Sequence, residues 1–201
     1  RLSRFIAKEN QVFDTSRAWN NSALTNTSCT GNSGLISGHS VTCTMTSGST
    51  ITTAGSVDNE IDTVTIKDSN NNTVTSNYNI TKAKGTLTIT AASVTVSLSA
   101  KSEADRVYKG SAIAANSATV SPNASPTITY KYYSNNNCSG DGSTTVPTNA
   151  GTYTVKAYAA AVTGKTQAGE SSCVNHNISR AKTATQWSCA NPTYNGSSQT
   201  L

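Results

Sequence analysis

An all-β chain is predicted: two tandem β-sandwich modules followed by the truncated start of a third. Three observations lead there. Short segments alternate apolar and polar residues with the period of two that a half-buried strand requires. No segment carries the 3.6-residue period and the caps of a long helix. One stretch also recurs: Val107-Tyr108-Lys109-Gly110-Ser111 returns as Thr193-Tyr194-Asn195-Gly196-Ser197 and, more faintly, as Val12-Phe13-Asp14-Thr15-Ser16. The three aromatics stand 95 and 86 residues apart. Solenoid periods are only about 20–50 residues, so the repeating unit is a whole domain.

In chain order, residues 1–9 read as the tail of something upstream, residues 10–92 as module 1, 93–182 as module 2 and 183–201 as the opening of a third. In module 1, Cys29 to Cys43 reads as a hairpin, because Gly34-Leu35-Ile36-Ser37-Gly38-His39 holds the glycines a reversal needs. Ser40 to Thr46 and Asp62 to Lys67 alternate as strands. Asp68-Ser69-Asn70-Asn71-Asn72 is a turn, followed by the short strand Thr73-Val74-Thr75. Gly85-Thr86-Leu87-Thr88-Ile89-Thr90 closes the module. Module 2 opens with Val94-Thr95-Val96-Ser97-Leu98. Its central strands are Thr127 to Tyr133 and Thr152 to Tyr158, separated by a long turn at Asn135 to Gly142. Two further matches, Ala54-Gly55-Ser56 with Ala150-Gly151-Thr152 and Asn79 to Lys84 with Asn177 to Lys182, step by 96 and 98 residues. Many short strands with such turns predict sandwiches.

Composition agrees. Thr, Ser and Asn make up roughly two-fifths of the chain, far above ordinary usage. Thr beside Val, Ile and Tyr favours strands, and Asn, Ser and Gly favour turns. The net charge of +5 is spread over single Lys and Arg residues. Thr81-Lys82-Ala83-Lys84 and Arg180-Ala181-Lys182 are too sparse for a nucleic-acid surface. There is no apolar run of membrane-spanning length. Arg1 to Glu9 lacks the apolar core of a signal peptide, and both ends look cut.

The five cysteines form no C-x-x-C pair, so zinc and thioredoxin-type readings have no support. Two fall in each module. Parity argues for the disulfides Cys29–Cys43 and Cys138–Cys173, for an exported protein, and for Cys189 unpaired at the head of the third module.

Several of these stretches resemble one known group. Val107-Tyr108-Lys109-Gly110-Ser111 is similar to the opening "VYDGT" of the bacterial Ig-like repeats called YDG or MBG repeats. Leu35-Ile36-Ser37-Gly38-His39 resembles their "L-x-x-G-H" turn. Ser76 to Ile80 with Gly85 to Ile89 resembles their closing "SNYNI…GTLTI", and Asn149 to Val155 resembles "NAGTYTV". The departures are Lys109 for the family Asp and the missing Gly after Phe13. The resemblance implies tandem Ig-like sandwiches in large secreted or surface-attached bacterial proteins, many of them adhesin-like. It carries no catalytic residues.

No motif for catalysis or cofactor binding is present. His39 falls in a turn and His176 just before the last strand of module 2. Gly31-Asn32-Ser33-Gly34 lacks the spacing of a nucleophile elbow. Asp58-Asn59-Glu60-Ile61-Asp62 and Asp68 to Asn72 are oxygen-rich in the way calcium prefers, but the second run lacks the central Gly and the final acid of a calcium loop. A Lys–Asn isopeptide cross-link would need a buried Lys, Asn and acid together. Tyr130, Tyr132, Tyr133, Tyr153 and Tyr158 could build a sugar-binding face or serve as core and cross-strand partners. The expectation is therefore a non-enzymatic spacer at the cell surface or outside it, with neighbouring modules as its partners. The alternative is an adhesive module for a glycan or a host protein.

Overall fold

A computed structural model describes residues 5–183. The chain is all-β, with strands β1 (Phe5–Val12), β2 (Thr15–Ala18), β3 (Cys29–Ser33), β4 (Ser40–Met45), β5 (Gly55–Asn59), β6 (Ile61–Lys67), β7 (Tyr78–Ala83) and β8 (Gly85–Thr90) in an N-terminal set. A C-terminal set follows: β9 (Thr95–Ser97), β10 (Thr119–Ser121), β11 (Ile128–Tyr133), β12 (Thr154–Ala159), β13 (Gly169–Glu170) and β14 (Val174–Asn175). The helical content is two single 3₁₀ turns, Thr75–Asn77 and Ala104–Arg106.

Each set folds on itself. The N-terminal strands form the sheets β3-β1-β7, β2-β8-β5 and β4-β6; the C-terminal strands form β9-β10 and β11-β12, with β13 and β14 both on the far edge of β12. Among the described residues, no named strand of one set pairs with a named strand of the other. Two pairings among the named strands of the described residues are parallel, β1 with β7 and β2 with β8. Strand β8 shows why its sequence suits a central position. Leu87 and Ile89 are completely buried and pack with Trp19, Leu24 and Ala92, while Thr88 points outward and shares a hydroxyl hydrogen bond of 2.9 Å with Ser56. In β4-β6 the same alternation sets Thr44 opposite Thr63, with hydroxyls 2.6 Å apart. The turn after β6 is tied by Asp68, whose carboxylate accepts the Asn70 and Asn72 backbone N–H groups at 2.9 Å each.

Three expectations change. The stretch Cys29 to Cys43 is not a hairpin: β3 pairs with β1 and β4 with β6, so the Cys29–Cys43 disulfide links two sheets. The reason is register, since β4 meets in β6 a partner of the same alternation. Thr73-Val74-Thr75 leads into a 3₁₀ turn, because the Thr75 hydroxyl accepts the Ile66 N–H at 2.8 Å and takes the place of a ladder partner. Residues 5–9 lie within β1 and pair with β7, so they join this set of strands.

Backbone pairings also redraw the repeat. Trp19 N–H donates to Thr90 O at 2.9 Å, and Tyr108 N–H donates to Ser179 O at 2.8 Å. Leu24 N–H donates to Ile51 O at 2.8 Å, and Ile113 N–H to Pro147 O at 3.0 Å. Gly55 pairs with Ile89, and Gly151 with Ile178. The equivalent of Tyr108 is therefore Trp19, not Phe13, and Arg17-Ala18-Trp19-Asn20-Asn21-Ser22-Ala23-Leu24 answers Arg106-Val107-Tyr108-Lys109-Gly110-Ser111-Ala112-Ile113. Asn21 takes the left-handed conformation of Gly110, with φ 66° against 76°, which Asn tolerates better than most side chains.

The second disulfide, Cys138–Cys173, closes a 35-residue separation and ties the turn after β11 to the strand edge before β14. Replacing both Cys138 and Cys173 by serine is expected to cost about 4 kcal/mol on the chain-entropy model. Guanidinium unfolding, with and without the exchange, measures that loss; an unchanged midpoint would contradict it.

Candidate functional site

The most built feature of the chain is the joint where the two strand sets meet. The path between them is short: β8 ends at Thr90 and β9 begins at Thr95. Trp19 follows β2 directly, and its N–H bond to Thr90 holds it beside the exit of β8. Only 4% of Trp19 is exposed. The apolar cluster around it takes Leu24, Leu87, Ile89 and Ala92 from the N-terminal side, and Ala124 and the half-buried Val162 from the C-terminal side.

The C-terminal contribution comes from the loop after β12. Val162 and Thr166 bond each other's backbone in both directions at 3.0 Å, with Gly164 at the tip at φ 70°. Left-handed backbone at this tip favours glycine. A Cβ there would meet Thr53 at 3.4 Å, so the tip lies against the N-terminal set. The loop then bonds the N-terminal set through the backbone. Ala54 N–H donates to Gly164 O at 2.7 Å, Ala92 N–H to Lys165 O at 2.9 Å, and Gln167 N–H to Ala92 O at 2.8 Å. Lys165 Nζ stands 5.8 Å from the centre of the Trp19 ring, within the range of a cation–π contact. Directional bonds around an apolar centre fix an angle as well as a contact.

The residues singled out from sequence are dispersed. His39 Nδ1 pairs with the Tyr78 hydroxyl at 2.8 Å, far from His176 in the fold's other strand set. Lys84 bridges Asp58 and Glu60 at 2.6 and 3.2 Å, and these carboxylates raise its pKa. Asp68 is held below its usual pKa by the Asn72 backbone N–H above all, so its oxygens serve its own turn. Among the described residues no group of three or more His, Cys, Asp or Glu is arranged to hold a metal ion. Among the residues whose side chains are described, the buried polar ones include Asn59, Arg106 and His176 but no lysine. Four of the five tyrosines use their hydroxyls internally, and Tyr153 donates its backbone N–H to Asn177 Oδ1 at 2.9 Å. The Tyr130 and Tyr132 hydroxyls accept the N–H groups of Ala118 and Ala115 at 2.7 and 3.0 Å. Tyr133 and Tyr158 share a bond of 2.7 Å that pushes Tyr158 up to about 12. Gly31 to Ser33 belong to β3, Lys82 donates to the Asp62 carbonyl, and Cys189 lies outside the described residues. Cys29–Cys43 and Cys138–Cys173 are the disulfides of the two sets.

Sequence reasoning missed Trp19, Arg106 and the role of His176. Arg106 is buried and donates to Lys101 O at 2.9 Å, Asn177 O at 2.8 Å and Asn175 Oδ1 at 3.2 Å. His176 occupies the place of Leu87 in the repeat and is 1% exposed. Its Nε2 lies 2.7 Å from Ile113 O, and a carbonyl only accepts, so Nε2 carries the proton. Its ring lies 5.2 Å from that of Tyr132. Burial first, then the positive charges of Arg106 and Lys101, lower its pKa.

That shift has a sign. Between the lowered folded value and about 6.5 for the unfolded chain, the unfolded state binds more protons. The stabilisation is therefore complete above about pH 6.5 and is lost as pH falls through the folded value. His176→Leu, which copies the residue at position 87, is expected to flatten the acid limb of the Tm–pH curve. An acid limb identical in the variant would assign that loss to other groups.

No helix among the described residues is long and apolar enough to cross a membrane. No protein-family model, characterised protein or solved structure matches this chain.

Proposed function

We propose that this chain is a non-catalytic spacer in a large secreted or cell-surface bacterial protein, built of Ig-like sandwich modules in series. Module 1 spans residues 10–92 together with residues 5–9, which complete β1 at the centre of the sheet β3-β1-β7, module 2 spans 93–182, and a third opens from 183. The observation that carries the reading is the joint. A spacer transmits distance only if its modules do not swivel, and a buried Trp19 with three backbone bonds across a short link supplies that stiffness. Interfaces between domains of one chain otherwise permit relative motion by default.

Other observations support the same reading. The two disulfides fit an oxidising compartment outside the cytoplasm. The polar side chains singled out from the sequence have separate partners: His39 has Tyr78, Lys84 has Asp58 and Glu60, Asp68 has its own turn, and His176 has the Ile113 carbonyl. The hydroxyls of Tyr130, Tyr132, Tyr133 and Tyr158, which a sugar-binding face would present, are engaged by the protein's own N–H groups and by each other. The resemblance to YDG or MBG repeats points the same way.

Spin labels placed one on each module and read by pulsed electron resonance are expected to give one narrow distance distribution. Trp19→Ala should broaden it and cost about 3–5 kcal/mol, as large-to-small changes of a buried aromatic do. A broad distribution in the unaltered chain would sink the spacer reading.

A further inference from the structure

Tyr108 occupies in the second strand set the place Trp19 occupies in the first, yet 42% of it is exposed against 4% of Trp19. Its neighbour Val107 is 36% exposed. The difference is not in the local backbone, since both aromatics donate their N–H to equivalent carbonyls, Thr90 O and Ser179 O, at 2.9 and 2.8 Å. It lies in what covers them. Trp19 is covered by the loop at 160–167. The face of the first set that receives this loop is Thr53, Ala54, Trp19 and Ala92. Its equivalents in the second set are Asn149, Ala150, Tyr108 and Ala181. A cleft of about 520 Å³ borders that face through Ala150, and its lining continues over Gly151, Ile178 and Ser179 to the polar Glu103 and Arg106.

We propose that this face is the socket for the next module, which enters with its own counterpart of the Ala160–Gln167 loop. The occupant is named by the chain itself. Thr193-Tyr194-Asn195-Gly196-Ser197 repeats the aromatic–polar–turn–serine stretch 86 residues after Tyr108, close to the 89 residues from Trp19 to Tyr108. The proposal rests on the spacer reading and extends it. Every joint would reuse one geometry, so each module would turn against the last by the same angle and a long array would form a regular rod.

The test is an internal duplication that keeps the full chain, with residues 95–183 inserted again after Thr183. This preserves the spacing by which Thr95 follows Val94. Lys109→Arg in the inserted copy separates the two Tyr108 peptides by mass. Hydroxyl-radical footprinting then compares the inner and outer Tyr108 within one molecule. The inner Tyr108 is expected to oxidise about tenfold more slowly than the outer, the ratio of the 42% and 4% exposures. Gly164→Val in the inserted copy alone should restore the inner rate. Equal rates at the two tyrosines, with Trp19 still protected, would overturn the socket while leaving the first joint intact. Loss of protection at Trp19 itself would count against the rigid joint and the spacer reading together.

Discussion

The structure depends on one recurring constraint: a late segment of each strand set, β8 in the first and the bridge residue Ser179 in the second, pairs in parallel with the residues just before an aromatic and accepts that aromatic's N–H. In the first set β2 pairs with β8 and Trp19 bonds Thr90; in the second Val107 pairs with Ser179 and Tyr108 bonds Ser179. Parallel pairing cannot be made by a tight hairpin, so the contact brings together residues about 70 positions apart. It also places the aromatic at the end of the set from which the chain departs. The joint follows from that placement. An aromatic held by its backbone beside the exit lies in the path of whatever comes next.

The two sets spend the same backbone frame on different interiors. Position 87 is Leu in the first and His176 in the second; Asn59 in β5 answers Val155 in β12. Each polar substitute brings its own partner, as Nε2 of His176 finds Ile113 O and Nδ2 of Asn59 finds Asn26 O at 2.9 Å. The Oδ1 of Asn59 is buried without a partner, a cost of about 1–3 kcal/mol by general experience of buried polar groups. The paired arginines diverge too. Arg17 is half-buried and binds Ser22 O at 2.6 Å within its own turn, whereas Arg106 is buried and ties the 3₁₀ turn to Asn177. A conserved backbone frame with variable interior chemistry is what a tandem repeat permits, because the ladder bonds do not depend on side-chain identity.

The misplacement of the first repeat from sequence has a plain cause. From Leu24 to Ile51 is 27 residues, but from Ile113 to Pro147 is 34; from Gly55 to Ile89 is 34, but from Gly151 to Ile178 is 27. The two changes of seven cancel over the whole unit and shift everything between them. Matches near Ala54 therefore step by 96 residues, and Phe13 falls into line with Tyr108 at 95. Trp19 stands at 89, where Asn21 replaces the glycine that marks the stretch elsewhere. The left-handed φ of Asn21 was the missing signal, and a backbone angle is not written in letters. Phe13, the supposed start of the repeat, is 48% exposed.

The alternating stretches alone determined that the chain is all-β, and where its strongest strands fall: β4, β6, β8, β11 and β12 follow from the alternating sequence placement of apolar and aromatic residues among Thr and Lys. The Asn- and Gly-rich turns were equally legible, because those residues favour turn conformations whatever surrounds them. Tertiary structure decided the rest: which strand pairs with which, that β3 and β4 belong to different sheets, and that Trp19 is a joint while Tyr108 is a surface. Local preference acts within a few residues. Pairing across about 70 residues, and the covering of one aromatic but not its twin, depend on what the whole chain brings alongside.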